Sequence, residues 1–416
     1  MKVIISPTKL KGTLDVVSSK SASHRALIAA GLASGKSTLH NLLDSEDITA
    51  TKNALKALDV KIEEGTIYGG DLKVVETTIH ANESGSTLRF MIPIALLFDT
   101  AITFTGQGNL PKRPLNLYKD LFNSSILFDH GEDFLPLKVK GPLQGGQYQL
   151  LGNVSSQFIT GLLFALPLCE GNSTITLNSP LQSKDYVAMT IDTLKRAKIT
   201  IIEDSYRYII PGNQHYSPFE ITIEGDYSQA AFFMVAGLLT STITLRNLDV
   251  HSKQGDKAII EIIQAMNGII TCDEINSTVT VTPSKTQGTR VDLANIPDLG
   301  PILMVLAALS EGTTYFENTE RLRIKESDRL KAMIEILTKF GVTTTLKDHT
   351  LSVQGVTSLK GNQTFDGYQD HRIVMALSIA ALKADGPITI NGAEAIKKSY
   401  PQFFKDYTQL GGKIKY

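Results

Sequence analysis

Six segments of the chain repeat one pattern, and this repeat limits the possible folds more than any other feature. Each segment opens with small or polar residues suited to a helix N-cap, and an apolar stretch with Ala and Gly follows. A Gly or Ser break then leads into a short strand rich in Thr and Ile. The predicted strands end at Asn41, Gly106, Asn178, Asn247, Asn318 and Asn391, in steps of 65, 72, 69, 71 and 73 residues by subtraction. Most solenoid repeats are shorter, so each unit is large enough to be a subdomain.

A second helix and further strands complete each repeat. One example is "SDRLKAMIEILTKFG" at 327–341, which precedes the strand-like "VTTTLKDHTLSV" at 342–353. One unit is therefore roughly βαβαββ, and we predict an α/β (α+β) fold. The first helix of each unit is apolar nearly all round, which indicates that it is buried. Three units around a bundle of buried helices would make one domain, and six would make two, which suits 416 residues.

Composition excludes several classes of protein. The formal net charge is -1, which gives no basis for nonspecific binding to nucleic acids or membrane surfaces. The first residues contain too short an apolar run for a secretory signal, and no stretch approaches the ~20 apolar residues of a membrane span. We therefore expect a cytoplasmic protein. Cys169 and Cys272 lie in apolar sequence and are predicted to be reduced core residues.

Cations lie at several predicted helix starts, where the helix dipole disfavours them by about 0.3–1 kcal/mol. The four arginines predicted in first turns are Arg25, Arg89, Arg329 and Arg372. Helix N-termini and arginine both bind phosphates and carboxylates, so the repeated placement indicates a site for anionic small molecules. The alternative is that these arginines are solvated or paired locally, as Arg329 could be with Asp328 or Glu326.

A loose phosphate-loop pattern, "AGLASGKS" at 30–37, lacks the required context. The motif needs a strand before it and a helix after it, whereas here an apolar helix precedes and a strand follows. We therefore interpret it as a helix-to-strand turn.

Eight motifs, in order along the whole chain, resemble those of the 5-enolpyruvylshikimate-3-phosphate synthase family of enolpyruvyl transferases. They are "SKSASHRAL" at 19–27, "ESGSTLRF" at 83–90, "GNLPKRPL" at 108–115, "SSQF" at 155–158, "IPD" at 296–298, "LRIKESDRL" at 322–330, "DHRIVMA" at 370–376 and "KKSYPQFF" at 397–404. The resemblance implies two domains, each of three βαβαββ units with buried helices and outer sheets, an inside-out α/β barrel. Residues 1–19 with 225–416 would form one domain and residues 20–224 the other. The active site would lie in the cleft between the domains, which would close around the substrates.

The family's reaction transfers the enolpyruvyl group of phosphoenolpyruvate to the 5-hydroxyl of shikimate 3-phosphate. It releases phosphate by addition and elimination through a tetrahedral intermediate, in the shikimate pathway to chorismate and the aromatic amino acids. The resemblance implies no metal and no organic cofactor. The implied partners are the two substrates, without nucleic acid or membrane, and we expect a monomer.

Two alternatives stay open. UDP-N-acetylglucosamine enolpyruvyl transferases share the fold, but they typically have Lys-Asn where this chain has Lys20-Ser21. They also usually carry a cysteine in the loop that here reads "GQGNLPKRP", at 106–114. A protein of another class, a non-catalytic scaffold of six repeats, would not need different polar residues at each helix start.

The resemblance also implies residue roles. Shikimate 3-phosphate would be bound by Lys20, Ser21, Arg25, Ser155, Ser156, Gln157, Ser183, Tyr186, Asp298 and Lys325. Phosphoenolpyruvate would be bound by Lys20, Gly85, Arg113, Gln157, Arg329, Arg372 and Lys398. Asp298 would be the base for the 5-hydroxyl, Glu326 the proton donor to C3, and Lys20 would assist the departing phosphate.

Two positions depart from the family pattern. Glu83 and Arg321 stand where many members have Asn. A carboxylate at position 83 could repel an anion unless it pairs elsewhere, so the sequence leaves sensitivity to glyphosate-like inhibitors open.

Overall fold

A computed structural model describes residues 1–128 and 134–416. Contacts between Cα atoms divide the chain into two compact units. The terminal unit comprises Met1–Val17 and Glu224–Tyr416, and the central unit comprises Ser18–Ile223. These contact-based boundaries fall after residues 17 and 223. The domain boundaries expected from the sequence, after residues 19 and 224, stay predictions.

The described residues form twelve α-helices and 24 strands. The helices are α1 Lys20–Leu32, α2 Glu46–Lys56, α3 Gly85–Ala95, α4 Asn116–Phe122, α5 Ser156–Ala165, α6 Lys184–Arg196, α7 Tyr227–Leu239, α8 Ile259–Ala265, α9 Gly300–Ala308, α10 Arg329–Lys339, α11 His371–Ala380 and α12 Phe403–Gln409. The strands of the first half are β1 Lys2–Ser6, β2 Gly12–Asp15, β3 Gly35–His40, β4 Lys61–Glu63, β5 Thr66–Gly69, β6 Thr78–His80, β7 Ile102–Thr105, β8 Ile126–Phe128, β9 Leu137–Val139, β10 Gln147–Leu150, β11 Ser173–Leu177, β12 Ile202–Asp204, β13 Arg207–Ile210 and β14 Glu220–Thr222. Those of the second half are β15 Ile243–Arg246, β16 Ile269–Asp273, β17 Thr278–Thr282, β18 Arg290–Asp292, β19 Thr313–Glu317, β20 Thr344–Lys347, β21 Thr350–Gln354, β22 Gln363–Asp366, β23 Ile388–Asn391 and β24 Lys413–Lys415.

The strands form six four-stranded sheets, one for each repeat. In the sheet ordered β6-β7-β9-β8, β6 and β7 are parallel, and β9 is antiparallel to both β7 and β8. Helix α3 lies between the two parallel strands in sequence, and α4 lies between β7 and β8. This is the βαβαββ unit that the sequence predicts, and the predicted α/β fold class is confirmed.

Three sheets are completed by strands from distant parts of the sequence. Strand β14 pairs in parallel with β3 at the start of the central unit. Strand β2 pairs in parallel with β15, and β1 lies antiparallel between β23 and β24. Each unit therefore contains three complete sheets, although the chain passes from the terminal unit to the central unit and back.

The first helix of each repeat is buried, as its composition predicts. Every residue of α7 is buried, and so is every residue of α9 and α11. In the central unit α3 and α5 are buried over most of their length. The second helices are amphipathic: α10 buries a stripe that includes Leu330 and Leu337 and exposes its other face.

The prediction that both cysteines are core residues is wrong for Cys272. Cys169 is buried, but Cys272 is exposed, and both thiols are free. Cys272 lies in β16, which is the edge strand of its sheet, and only Ile270 of that strand is buried. Apolar neighbours in the sequence therefore did not indicate burial, because the strand has a neighbour on one side only.

Two further observations bear on the sequence predictions. The segment 30–37 runs from the end of α1 into the start of β3, so the phosphate-loop context is absent as predicted. Within residues 1–128 and 134–416, no helix has the length and apolar character needed to cross a membrane.

Candidate active site

The central unit buries the guanidinium of Arg25 among oxygen acceptors. Arg25 Nη1 donates to the Ser21 carbonyl at 2.8 Å, and Nη2 donates to the Tyr186 carbonyl at 2.8 Å. Arg25 Nε donates to the Thr190 hydroxyl at 2.9 Å. Within the part of the chain that is described, no carboxylate forms an ion pair with this group. Burial lowers the pKa of Arg25 to about 10, because the charge has left water without gaining an anionic partner.

Lys20 begins α1 beside a carboxylate from α2. Its Nζ lies 2.8 Å from Asp47 Oδ2. The neighbouring His24 is buried, and its Nδ1 lies 2.7 Å from the Thr51 hydroxyl. Burial, reinforced by Lys20 and Arg25, lowers the pKa of His24 well below its usual value, so this imidazole is neutral. The start of α1 therefore combines one ion-paired cation with one buried cation that has no acidic partner.

Gly85 is the first residue of α3 and faces two guanidinium groups. A Cβ at Gly85 would lie 2.7 Å from Arg113 Nη1 and 2.9 Å from Arg89 Nη1. Arg89 also donates to Gln157 Oε1 at 2.9 Å. Arg113 Nε is buried without a hydrogen-bond partner among the described residues. The side chain of Ser84 caps α3 by accepting from the Thr87 amide, and two guanidinium groups lie against the first residue of the helix. Cations beside a helix N-terminus are suited to an anion.

The remaining central-unit residues lie at two other helix starts. Ser155 is the N-cap of α5 and accepts from the Gln157 amide at 3.3 Å, and Ser156 is the first residue of that helix. Ser183 precedes α6 with φ 54°, in the left-handed region, and it is buried. Tyr186 lies in the first turn of α6, and its carbonyl holds Arg25.

In the terminal unit, Arg329 is enclosed by three carboxylates. Its Nη1 donates to Asp298 at 2.8 Å, Nη2 donates to Glu326 at 2.5 Å, and Nε donates to Asp370 at 2.8 Å. The Arg329 side chain is only 1% exposed. Burial opposes its charge, but the carboxylates outweigh that effect and raise the pKa of Arg329.

Asp298 receives three cations. Besides Arg329, its carboxylate lies 3.2 Å from Lys325 Nζ and accepts from Arg372 Nη2 at 3.1 Å. Burial lowers the pKa of Lys325 to about 8, and Arg321 and Arg329 act in the same direction, although Asp298 opposes them. Near neutral pH, Lys325 is therefore a cation that can release its proton more readily than an exposed lysine.

A hydrogen bond connects Lys398 to the backbone next to Asp370, which belongs to the charge cluster around Arg329. Its Nζ donates to the Gln369 carbonyl at 2.6 Å, and the next residue, Asp370, holds Arg329. Lys398 ends a 3-10 helix, Ala393–Lys398, that precedes α12. All six candidate residues of the terminal unit therefore belong to one network of charges and backbone acceptors. The ten of the central unit lie in the first two turns of α1, at the starts of α3, α5 and α6, or in the loop before α4.

The predicted position of the arginines in first turns is wrong for two of them. Arg329 and Arg372 are the first and second residues of their helices. Arg25 is the sixth residue of α1 and Arg89 the fifth of α3, so both lie beyond the first turn. Long arginine side chains reach back toward the N-terminus from there, because helix side chains tilt in that direction. The local pairing left open for Arg329 occurs with Glu326, whereas Asp328 instead caps α10 and pairs with Arg323.

Sequence reasoning assigned no substrate role to three residues that shape these sites. Arg89 lies against Gly85 and Gln157. Asp370 is completely buried and pairs with Arg329, and Asp47 pairs with Lys20. Arg89 and Asp370 lie within the family motifs, so the sequence did mark both positions. Only the fold shows which residues each of these charged groups contacts.

No cluster of three or more His, Cys, Asp and Glu side chains suited to a metal ion occurs within residues 1–128 and 134–416.

Comparison with known proteins decides the family. The family model for EPSP synthase (3-phosphoshikimate 1-carboxyvinyltransferase) matches residues 4–407. The chain belongs to the EPSP synthase family. Its curated relatives include the 3-phosphoshikimate 1-carboxyvinyltransferases of Clostridium kluyveri, 47% identical over 99% of this chain and 98% of the relative, and of Clostridium novyi, 44% identical over 99% and 97%. The resemblance seen in the motifs is thereby confirmed.

Solved structures agree with the EPSP synthase fold. The EPSP synthase of Acinetobacter baumannii superposes with a TM-score of 0.84 at 26% identity, over the whole of both chains. The enolpyruvyl transferase NikO of Streptomyces tendae has a TM-score of 0.79 at 15% identity, over 100% of this chain and 98% of its own, which is a likeness of fold alone.

Proposed function

We propose that this EPSP synthase family member transfers the enolpyruvyl group of phosphoenolpyruvate to the 5-hydroxyl of shikimate 3-phosphate and releases phosphate. The family match over residues 4–407 carries the proposal. Its chemical support is that both units present cations suited to two phosphates and two carboxylates. The transfer would serve the shikimate pathway to chorismate and the aromatic amino acids.

In the central unit, the helix starts would bind the anionic ends of both substrates. Arg113 and the N-terminus of α3 at Gly85 suit phosphoenolpyruvate, because Gly85 has no Cβ and the Arg113 guanidinium lies directly against it. Lys20, Ser21 and Arg25 would hold shikimate 3-phosphate. The remaining shikimate 3-phosphate residues of this unit are Ser155, Ser156, Gln157, Ser183 and Tyr186.

In the terminal unit, a substrate anion must compete for Arg329. All three of its nitrogens already donate to carboxylates, and Glu326 and Asp298 are its more accessible partners. If the carboxylate or phosphate of phosphoenolpyruvate replaces Glu326 on Arg329, the charge of the guanidinium stays compensated. Glu326 is then released from Arg329 and can take up a proton from water, which couples binding of the anion to the availability of the acid. Arg372 and Lys398 would complete this set.

The proposed chemistry divides proton transfer between two carboxylates. The 5-hydroxyl oxygen bonds to C2 of phosphoenolpyruvate while its proton passes to Asp298, and C3 takes a proton from Glu326. In the tetrahedral intermediate the bond from C2 to the phosphate oxygen then breaks. Glu326 takes a proton back from C3, and Lys20 stabilises the departing phosphate. The phosphate leaves with the proton that Asp298 took from the 5-hydroxyl, so both carboxylates return to their starting forms. Lys325 Nζ lies 3.2 Å from the Asp298 carboxylate that would accept the 5-hydroxyl proton.

The deciding experiment is a phosphate-release assay with phosphoenolpyruvate and alternative acceptors. We expect release with shikimate 3-phosphate and none above background with UDP-N-acetylglucosamine. The opposite preference would establish the sister activity and overturn the proposal. Lys20-Ser21 in place of Lys-Asn, and the absence of cysteine from the sequence of loop 106–114, favour shikimate 3-phosphate.

A thermal-shift experiment tests the scaffold alternative. An enzyme gains stability from ligands that bind its folded state, by about 2.7 kcal/mol at a hundredfold excess over Kd. We expect shikimate 3-phosphate with an unreactive phosphoenolpyruvate analogue to raise Tm more than either compound alone. A scaffold without these sites would show no shift with either.

Three further features belong to the proposal. Because the candidate residues are divided between the two units, we propose that both units act on the same substrate pair and close upon it. Small-angle scattering should then show a smaller radius of gyration when shikimate 3-phosphate is added. A monomeric state and a cytoplasmic location complete the proposal, and sedimentation velocity tests the first of these.

A further inference from the structure

The turn between β22 and α11 holds two consecutive residues in the left-handed backbone region. Tyr368 and Gln369 both have φ of 51°. Neither is a glycine, and a residue with a Cβ rarely adopts this region and keeps it only when its surroundings enforce the conformation. Two such residues in succession indicate that the fold needs this path of the backbone.

Hydrogen bonds on both sides enforce the turn. The Tyr368 amide donates to Asp366 Oδ1 at 2.7 Å, and the Tyr368 hydroxyl donates to Glu335 Oε2 on α10 at 2.5 Å. The Asp370 amide donates to the Gly367 carbonyl at 2.9 Å. The turn is therefore attached to α10, the helix that begins with Arg329.

The strained turn directs two groups at the candidate site. The Gln369 carbonyl oxygen accepts from Lys398 Nζ at 2.6 Å. The following residue, Asp370, caps α11 and pairs with Arg329. A flip of the Gln369 residue into the right-handed region would rotate its carbonyl away from Lys398, because φ and ψ set the carbonyl direction.

We propose that Gln369 is a positioning residue, whose left-handed backbone aims its carbonyl oxygen at Lys398 Nζ and thereby holds this ammonium group in place for phosphoenolpyruvate. The inference rests on the proposed function, because it uses Lys398 as part of the phosphoenolpyruvate set. Lysine carries its charge on a long stem with several rotatable bonds. A fixed acceptor at 2.6 Å restricts the positions that this charge can occupy.

The test is a series of variants at position 369 whose residues differ in how readily they adopt a left-handed backbone. Gln369→Val places a β-branched residue there, for which the left-handed region is a genuine outlier. We expect it to raise KM for phosphoenolpyruvate by about tenfold and to leave KM for shikimate 3-phosphate within about twofold. Gln369→Asn and Gln369→Gly tolerate the conformation and should restore the wild-type KM. Gln369→Ala gives an intermediate value and serves if the valine variant does not fold.

A matched control separates positioning from general destabilisation. Asp348 lies in the exposed turn between β20 and β21 with φ 54°, and it is not one of the candidate residues. Asp348→Val should lower Tm as Gln369→Val does, but leave KM for phosphoenolpyruvate within about twofold. An equal rise in KM for both variants would overturn the inference.

A double-mutant cycle shows whether the effect acts through Lys398. In a Lys398→Met background the carbonyl has no ammonium to hold, so Gln369→Val should change KM for phosphoenolpyruvate by less than about twofold. The same tenfold rise in both backgrounds would overturn the positioning role and leave the proposed function intact. If Lys398→Met by itself leaves KM unchanged, the assignment of Lys398 is wrong and the inference fails with it. Phosphate release with shikimate 3-phosphate as acceptor tests the proposed function independently.

Discussion

Replacing Gly85 by Ala tests the phosphoenolpyruvate site most directly, because the structure supplies the size of the perturbation. The new methyl carbon would lie 2.7 Å from Arg113 Nη1 and 2.9 Å from Arg89 Nη1, whereas ordinary contacts begin at 3.4 Å. Arg113 must then retreat by about 0.7 Å and Arg89 by about 0.5 Å. The groups that move are the ends of flexible side chains, so we expect little loss of stability. We expect the substitution to weaken binding of the anion instead.

The displacement sets the expected loss of activity. A misplacement of about 1 Å can cost roughly 10²-fold in an enzyme. We therefore expect Gly85→Ala to raise KM for phosphoenolpyruvate by about 10- to 100-fold, which corresponds to about 1.4–2.7 kcal/mol. KM for shikimate 3-phosphate should change less than KM for phosphoenolpyruvate, because Arg25 donates to the Ser21 and Tyr186 carbonyls, whereas Gln157 accepts from the displaced Arg89 and would transmit only part of the change.

Steady-state phosphate release, with each substrate varied in turn, measures both constants. Gly146→Ala is the matched control, since a Cβ at Gly146 has no atom within 4 Å. It should leave both constants and Tm unchanged. If Gly85→Ala keeps KM for phosphoenolpyruvate within about twofold while Tm is unaltered, phosphoenolpyruvate does not bind against Gly85 and this part of the proposal is refuted.

Three further predictions concern the terminal unit. Glu326→Gln should lower kcat by roughly 10²–10⁴, the scale for losing a general acid–base, and an unchanged turnover would remove Glu326 from the mechanism. Asp298→Asn should lower kcat similarly. It should also lower the pKa of Lys325 further, because the Asp298 carboxylate raises that pKa. The pH dependence of the lysine NMR chemical shifts measures this pKa, and a higher value in the variant would contradict the prediction. Above pH 8, where Lys325 loses its proton, KM for shikimate 3-phosphate should rise up to about tenfold per pH unit, and Lys325→Arg should flatten the profile; a flat wild-type profile would contradict it. Stability changes in the opposite direction from substrate binding as pH rises. Between pH 8 and about 10.4 the unfolded chain holds the proton that folded Lys325 has released. The Lys325 contribution to the free energy of unfolding therefore increases with pH across that window.

The sequence predicted the repeated unit well because its signals are local. Apolar stretches at helical spacing, polar N-caps and Asn or Gly after short strands recur in each repeat, and the structure contains one four-stranded sheet for each. Asn41, Asn247 and Asn318 have φ between 56° and 66°, which explains why Asn recurs directly after these strands. The motifs likewise named candidate residues near helix starts without any knowledge of their partners, although Arg25 lies beyond the first turn of α1 and Lys398 at the end of a 3-10 helix.

The partners of the charged residues were decided by tertiary structure. Arg329 contacts Asp298, 31 positions earlier, and Asp370, 41 positions later, and nothing local to the motif "LRIKESDRL" indicates either contact. The same holds for Arg25, which has carbonyl acceptors and no carboxylate among the described residues. A sequence shows which residues can be charged, but the compensation of each charge depends on segments that meet only after folding.

The sequence by itself determined the βαβαββ unit, its sixfold repetition and the family, because periodicity, capping and motif order are properties of contiguous residues. Only the tertiary structure decided which distant strands complete the sheets, such as β1 between β23 and β24, and which backbone groups take strained conformations, such as Gln369 beside Lys398. Strand pairing and backbone strain both depend on the free energy of contacts between residues far apart in the chain, and a local pattern does not contain that quantity.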